Sequence, residues 1–203
     1  NHIIKPQKIL FKKIDEKMVE ELKNRFSGKK KVNLSDDENK EIESKDDFLT
    51  LNLKVGEIMS AEDHPNADKL YVLKVDLGNE ERQLVAGLRK YFSKEELLGK
   101  HIVVVSNLQP AKLRGIESQG MLLAADNPKT GVVKLLEAPN SKPGSLVYTE
   151  STKGKKLNVE IISFSEFEKV KLKAKAGKVY YNNEALKTDK EFIRVNIDEG
   201  FVR

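Results

Sequence analysis

From residue 48 onward the sequence alternates apolar and polar residues with a period of two, and this alternation restricts that part of the chain to β-structure. In FLTLNLKVGEI, four apolar residues would point to one side of a strand: Leu49, Leu51, Leu53 and Val55. The segment YVLKVDLG repeats the alternation. The segments QLVAGL, HIVVVSNL and GMLLAA are shorter and more continuously apolar, which is typical of strands buried on both faces. The pattern therefore predicts five short strands in succession.

One short helix is predicted between the third and the fourth of these strands. In SKEELLGK, Ser93 and Glu96 form a capping box and Gly99 closes the helix. Five strands with a small helix in that place is the element order of an OB-fold barrel, which commonly binds oligonucleotides. We therefore predict a mainly β protein, a five-stranded OB-fold barrel with a small α/β C-terminal extension and a short N-terminal helix.

The segments on either side of the barrel have different patterns. DEKMVEELKNRF repeats apolar residues at helical spacing, and Gly28 follows it as a helix end. After the barrel, the chain reads as one short helix near 158–168 and several strands (VKLKAKA, KVYYN, EFIRVNI), too little for an independent core. Four parts are predicted: an N-terminal helix at 1–28, a charged linker at 29–47, the barrel at 48–150, and an extension at 151–203 that leans on the barrel.

Charge is distributed unevenly, and the flanks rather than the barrel supply the formal net charge of +5. Residues 1–31 carry 10 Lys and Arg against 4 Asp and Glu, and residues 32–47 carry 2 against 7. Residues 48–150 are balanced at 13 against 13, while residues 151–203 carry 12 against 8. Basic flanks mildly favour a polyanionic partner such as a nucleic acid.

Patterns for catalysis and for metal binding are missing from the sequence. It contains no Cys, and His2, His64 and His101 are too far apart to show a metal-ligand spacing. We interpret His64 as an exposed loop imidazole and His101 as a structurally satisfied one. No Walker loop, GxGxxG, GxSxG, signal peptide or membrane-spanning run is present. The expectation is a cytoplasmic chain with no catalytic residues, no metal, no cofactor and no membrane contact.

The stretch PAKLRGIESQGMLL carries the most specific information. If it is extended, Lys112 and Arg114 share one face, separated by outward-turned Leu113, and can reach adjacent phosphates. A second turn, HPNADKL, would lie at the same mouth of the barrel. Further donors, acceptors and apolar contacts for RNA come from both stretches: Asn66, Lys69, Ser118, Gln119 and Met121. Two alternatives stay open, Met121 as core filler and Asn66 as a turn-forming residue.

Three stretches together resemble one known domain: LKVGEI at 53–58, HPNADKLYVLKVDLG at 64–78 and NLQPAKLRGIESQGMLL at 107–123. It is the tRNA-binding domain shared by bacterial stand-alone tRNA-binding proteins, the C-terminal appendages of several methionyl-tRNA synthetases, and endothelial monocyte-activating polypeptide II. The resemblance implies recognition of tRNA shape with little dependence on tRNA identity. It also implies tRNA contact at the matching positions, which are Asn66, Lys69, Arg114, Ser118 and Met121.

The flanks extend this resemblance. Residues 151–203 resemble the extra C-terminal domain of the endothelial polypeptide class, which covers the surface through which bacterial barrels form dimers. ILFKKIDEKMVEELKNRF resembles the helix that closes the anticodon-binding region of methionyl-tRNA synthetases. The resemblance therefore implies a monomeric, non-catalytic tRNA clamp at the C-terminal end of such a synthetase.

Two other readings remain open. One is a scaffold whose partners are other aminoacyl-tRNA synthetases. The other is a cytokine-like extracellular peptide, because LKVGEIM occupies the place of a heptapeptide tied to cytokine activity. Lys54, Val55 and Glu57 depart from the arginine-rich form of that heptapeptide.

Overall fold

The computed structural model describes residues 47–157 and 159–203. The predicted helix at 1–28 and almost all of the predicted linker at 29–47 lie outside the described residues. The strands, in chain order, are β1 Leu53–Asp63, β2 Tyr71–Asp76, β3 Glu81–Ala86, β4 His101–Val105, β5 Ala111–Leu113, β6 Ile116–Ser118, β7 Met121–Leu122, β8 Ala124–Asn127, β9 Val132–Leu135, β10 Lys173–Lys175, β11 Lys178–Tyr181, β12 Glu184–Ala185 and β13 Glu199–Val202. The helices are α1 Lys94–Leu97 and α2 Phe164–Phe167, with 3-10 turns at Asp47–Thr50 and Glu150–Thr152.

Five strands form the barrel, in the order β3-β2-β1-β4-β7, and all their pairings are antiparallel. The long strand β1 makes this possible, because its first half pairs with β4 and its second half pairs with β2. The amide of Gln119, just before β7, donates to the Gln83 carbonyl in β3 at 2.8 Å. That bond brings the two end strands together and nearly closes the sheet, so the predicted mainly β fold with a five-stranded barrel is confirmed.

Helix α1 lies between β3 and β4, as the sequence predicts. The Ser93 hydroxyl accepts from the amide of Glu96 at 3.3 Å, and the Glu96 carboxylate accepts from the amide of Ser93 at 2.7 Å. The bond from the Ser93 amide, together with the Ser93 side chain, holds the pKa of the Glu96 carboxyl below its usual range, because hydrogen bonds donated to the carboxylate favour its ionised form. The capping box therefore begins the helix at its N-terminus, as the sequence predicts.

The first of two apolar clusters fills the interior of the barrel. Most of its members come from the inward faces of β1 to β4 and from α1, and they include Ile58, Leu73, Leu84, Leu97 and Ile102. All five are essentially inaccessible to solvent. The period-two alternation is the reason, since every second side chain of a strand faces inward.

The second apolar cluster is shared between the barrel and residues 151–203, and we call it the junction. The barrel side includes Phe48, Leu53, Val103, Leu123 and Leu136, and the other side includes Ile162, Phe167, Leu172, Val179, Leu186 and Ile193. The strands of the two parts also join one sheet, in the order β12-β11-β10-β13-β8-β9, because β13 pairs with β8. Residues 151–203 thus complete a core whose other half belongs to the barrel.

Local boundaries differ from the sequence predictions in three places. The FLT segment that the alternation assigns to a strand forms a 3-10 turn, and helix α2 is shorter than the predicted 158–168. EFIRVNI forms only isolated bridges, through Phe192 and Arg194, whereas the strand of this region is β13. The sequence EGFV of β13 carries too few apolar residues to signal a strand, and its pairing with β8 and β10 holds it extended.

Candidate nucleic-acid interface

Two connections meet at one edge of the barrel: the β1–β2 loop (64–70) and the β5–β6 hairpin (111–118). The Nε2 atom of His64 lies 3.0 Å from the carbonyl oxygen of Leu113, which joins the two. We call the two connections together the loop edge. The loops between strands 1 and 2 and between strands 4 and 5 of the barrel are those with which OB-folds bind oligonucleotides.

The interpretation of His64 as an exposed imidazole is wrong. Its side chain lies under the hairpin, and the residue is only 3% exposed. Its partner is 49 residues away in the sequence, so the local turn sequence gives no sign of the burial. His101 agrees with its structural interpretation, because Nδ1 donates to the Ser141 carbonyl at 2.7 Å and Nε2 lies 3.5 Å from Glu57.

The hairpin turns at Arg114 and Gly115, which have φ angles of 51° and 98°. Two successive residues with positive φ form the type of tight turn that matches the twist of paired strands. Lys112 and Arg114 therefore do not share one face of an extended segment, because Lys112 lies in β5 and Arg114 lies at the tip. Both side chains are nevertheless exposed, as are Asn66 and Lys69 in the β1–β2 loop.

Three of the candidate residues are buried or half-buried and are engaged in contacts within the protein. Ser118 is buried, and its hydroxyl accepts from the Val85 amide at 3.0 Å and donates to the Gly120 carbonyl at 2.9 Å. The Gln119 side chain accepts from the Gln83 amide at 3.2 Å. Met121 is half-buried against the junction, which agrees with the alternative of a core filler.

A further cation, Lys74 on β2, belongs to the same surface. It pairs across the sheet with Gln83 of β3, whose side chain donates to the Glu117 carbonyl of the hairpin at 2.8 Å. Lys74 is exposed on the outer face of the barrel. The alternation in YVLKVDLG places it on the polar side, so the sequence holds the signal, but only the fold shows that this side borders the hairpin.

Among the 13 Lys and Arg residues of the barrel, two groups of four differ in their partners. Four of them form ion pairs with carboxylates, as in Arg89–Asp63 at 3.2 Å, Lys94–Asp63 at 2.7 Å and Lys100–Glu137 at 2.6 Å, with Arg82–Glu80 as the fourth. The hydrogen bond from Lys94 holds the pKa of Asp63 below its usual range, so that carboxyl remains an anionic partner.

The second group lies at the loop edge and on the adjacent face of β2: Lys69, Lys74, Lys112 and Arg114. None of the four forms an ion pair with any described residue. Glu117 stands opposite Lys112 across the hairpin and offsets part of its charge. A barrel that is neutral overall therefore has a local positive excess on this side.

No metal site and no membrane span accompany this surface in the described part of the chain. Within residues 47–157 and 159–203, no cluster of three or more His, Asp or Glu side chains could hold a metal ion. Over the same residues, no helix has both the length and the apolar content to cross a membrane.

The sequence and the fold are similar to those of known proteins. Residues 53–145 match the family described as "Putative tRNA binding domain". The methionine–tRNA ligase of Thermococcus onnurineus (strain NA1) is 68% identical over 82 residues, which are 40% of this chain and 11% of that protein. The methionine–tRNA ligase of Borrelia garinii subsp. bavariensis is 39% identical over 179 residues, which are 86% of this chain and 24% of that protein. The chain thus spans about a quarter or less of these two relatives.

One solved structure matches most of the described fold. The crystal structure of the C-terminal domain of Plasmodium vivax p43 has a TM-score of 0.72 and a sequence identity of 31%. The match covers 78% of this chain and 99% of that one. It therefore extends well beyond the barrel into the residues that form the other side of the junction.

Proposed function

Residues 53–145 belong to the tRNA-binding domain family, and from this premise we propose that the chain is a non-catalytic module that binds tRNA for a methionine–tRNA ligase. One observation carries the proposal at the level of residues. Of the 13 cations of the barrel, nine form no ion pair with any described residue, and four of these nine lie together at the loop edge and on the adjacent face of β2.

The chemistry of these groups suits an RNA backbone. A guanidinium at an exposed hairpin tip can bind a phosphate through two parallel hydrogen bonds, and the lysines supply point charges for neighbouring phosphates. Asn66 can bond a ribose 2′-OH, which distinguishes RNA from DNA. Contacts of this kind recognise shape and backbone, so we expect little preference among tRNA species.

The extension adds charge of the same sign. It carries five exposed lysines within ten residues: Lys169, Lys171, Lys173, Lys175 and Lys178. Together with the basic residues 29–31 of the sequence, they would attract tRNA over a longer range, while the loop edge provides the local fit. Joined to a synthetase, such a module raises the effective concentration of tRNA at the active site.

We also propose that residues 151–203 take the place of a second barrel, so that the chain is a monomer. The apolar residues that they contribute to the junction cover an equally apolar surface of residues 48–150. A barrel without this cover would have to bury the surface against another copy.

Titration of the chain with several tRNA species and with a linear RNA duplex of similar length tests the proposal. We expect the tRNA species to bind within about tenfold of one another and more tightly than the duplex. Affinity should fall on the order of tenfold or more between 50 and 200 mM salt, because phosphate contacts release counterions. Strong preference for one tRNA that persists at high salt would contradict backbone recognition.

A protein partner, such as another aminoacyl-tRNA synthetase, is the second candidate function. Val159 and Ile161 are apolar yet 77% and 69% exposed, and Phe164 next to them is half exposed. Exposed apolar side chains that lie together favour a protein contact. If such a contact forms, Ile161→Asp should abolish co-purification with the partner and leave tRNA affinity unchanged.

A further inference from the structure

We propose that His64 is a positioning residue, which fixes the tip of the β5–β6 hairpin against the β1–β2 loop and thereby sets the position of Arg114. The proposal has two parts. The fixing of the hairpin concerns the free protein alone. Its consequence for RNA binding rests on the function proposed above.

The hydrogen bonds of the His64 ring define one protonation state. The Asn66 amide donates to Nδ1 at 3.1 Å, so Nδ1 must be without a proton. In a neutral ring the proton then resides on Nε2, which donates to the Leu113 carbonyl at 3.0 Å. A single tautomer therefore satisfies both loops at once, inside a site from which solvent is almost excluded.

The hairpin needs this hydrogen bond because few interactions within the hairpin stabilise it. Strands β5 and β6 form a separate two-stranded sheet with only three residue pairs. A two-stranded hairpin of this size is marginally stable by itself. Its turn also holds Arg114 at a positive φ, which costs free energy for a residue other than glycine.

The two ends of the hairpin are held differently. Its base is fastened to β3 by the bonds from Val85 to Ser118 and from Gln83 to Glu117. The tip is held from outside the hairpin by His64. Among the described residues, its ring donates a hydrogen bond to the Leu113 carbonyl. Arg114 follows Leu113 directly, so the orientation of the Arg114 backbone depends on this bond.

Two substitutions separate the functions of the two ring nitrogens. In His64→Asn, the amide oxygen can replace Nδ1 as the acceptor for Asn66, but the side chain is too short to reach Leu113. In His64→Gln, the amide nitrogen can reach Leu113, but the acceptor for Asn66 is lost. Each variant therefore removes one of the two hydrogen bonds of the His64 ring and keeps the other.

We expect hydrogen exchange at the amides of Leu113 and Ile116, which pair across the hairpin turn, to be faster in His64→Asn than in the native chain, and close to native in His64→Gln. The affinity for tRNA should fall about three- to tenfold in His64→Asn, corresponding to one lost hydrogen bond, and recover largely in His64→Gln. In the native chain, long-range ¹H–¹⁵N correlation should show the proton of His64 on Nε2.

The outcomes that would overturn the proposal are distinct from a failure of the proposed function. A proton on Nδ1 of His64, or equal exchange at the hairpin tip in all three proteins, would refute the fixing of the hairpin without any RNA. Faster exchange in His64→Asn with unchanged tRNA affinity would refute the link from hairpin position to binding. If the native chain binds no tRNA, the proposed function fails, and the exchange and ¹⁵N measurements still decide the role of His64.

Discussion

The loop edge and the junction are held together by opposite means. At the junction, side chains from residues 48–150 and 151–203 interlock without solvent, and Phe48, Leu53, Val179 and Ile193 are completely buried. At the loop edge, short connections are joined by hydrogen bonds, many of them between a side chain and a backbone group, and the cations point outward.

The difference separates stability from binding. Burial of apolar area is the main favourable term in folding, so the junction should dominate the free energy of unfolding. Exposed cations contribute little to stability, yet they are the groups that a phosphate backbone can reach. Substitutions at the junction should therefore change stability and leave binding intact in the folded protein, and substitutions of the exposed cations at the loop edge should do the reverse.

Removal of all residues after Tyr148 should have the largest effect. It would expose barrel residues such as Leu53, Leu123 and Leu136 to water, because their partners lie in the deleted part. We expect the shortened chain to form dimers or aggregates. Size-exclusion chromatography with light scattering should show the full chain near its monomer mass of 23.0 kDa. A shortened chain that remains a clean monomer would contradict the role of the extension as cover.

Two phenylalanines of helix α2 offer a matched pair, one inside the junction and one outside it. Phe167 is 3% exposed and belongs to the shared core, whereas Phe164 is 52% exposed. Phe167→Ala should lower the free energy of unfolding by about 3–5 kcal/mol, because it leaves a cavity, and Phe164→Ala by less than about 1 kcal/mol. Chemical denaturation measures both changes. Similar losses from the two would mean that the junction is not the source of stability.

At the loop edge, Arg114→Ala should weaken tRNA binding by about 1.5–3 kcal/mol, the range for a charge-assisted hydrogen bond. The unfolding midpoint should change little. Arg194→Ala is the matched control, since Arg194 is an exposed arginine of the extension that lies 3.6 Å from Glu191. Fluorescence titration with tRNA compares the two. Equal losses would indicate diffuse electrostatic attraction in place of a defined contact.

The smallest expected effect concerns the hydrogen bond between Tyr148 and Asp189. Tyr148 donates to the Asp189 carboxylate at 2.5 Å, and burial together with this bond raises the pKa of Tyr148 to about 12. Tyr148→Phe should cost about 0.5–1.5 kcal/mol of stability at neutral pH.

The pH dependence of that cost follows from the raised pKa. The folded chain holds the Tyr148 proton more tightly than the unfolded chain, so the contribution is complete below about pH 10 and is lost as the pH rises through about 12. Urea denaturation of both proteins from pH 8 upward should show their stabilities converging. A stability difference that stays constant to pH 12 would argue against the bond.

The barrel could be predicted from the sequence because its signals are local. Alternation marks the inward face of β2 within six residues, and the capping box of α1 lies within four. The element order then restricts the fold to an OB barrel. In the same way, the exposed positions of Asn66, Lys69, Lys112 and Arg114 follow from their turn-rich, polar sequences.

The remaining features depend on partners that are distant in the sequence. His64 is buried because the hairpin tip covers it, and Ser118 turns inward because the Val85 amide lacks another partner at the end of the sheet. Strand β13 exists because β8 and β10 hold it on both sides. No local pattern encodes these contacts, so sequence reasoning assigned Ser118 to the surface and left β13 undetected.

The shared core also has a consequence for biosynthesis. About sixty residues separate Leu135, at the end of β9, from Val195, the last junction residue along the chain. At a translation rate of about 5–20 residues per second, roughly 3–12 s would pass between the synthesis of the barrel strands and the synthesis of the residues that cover their apolar face. During that interval the nascent chain presents a contiguous apolar face, which is the kind of surface that ribosome-associated chaperones bind.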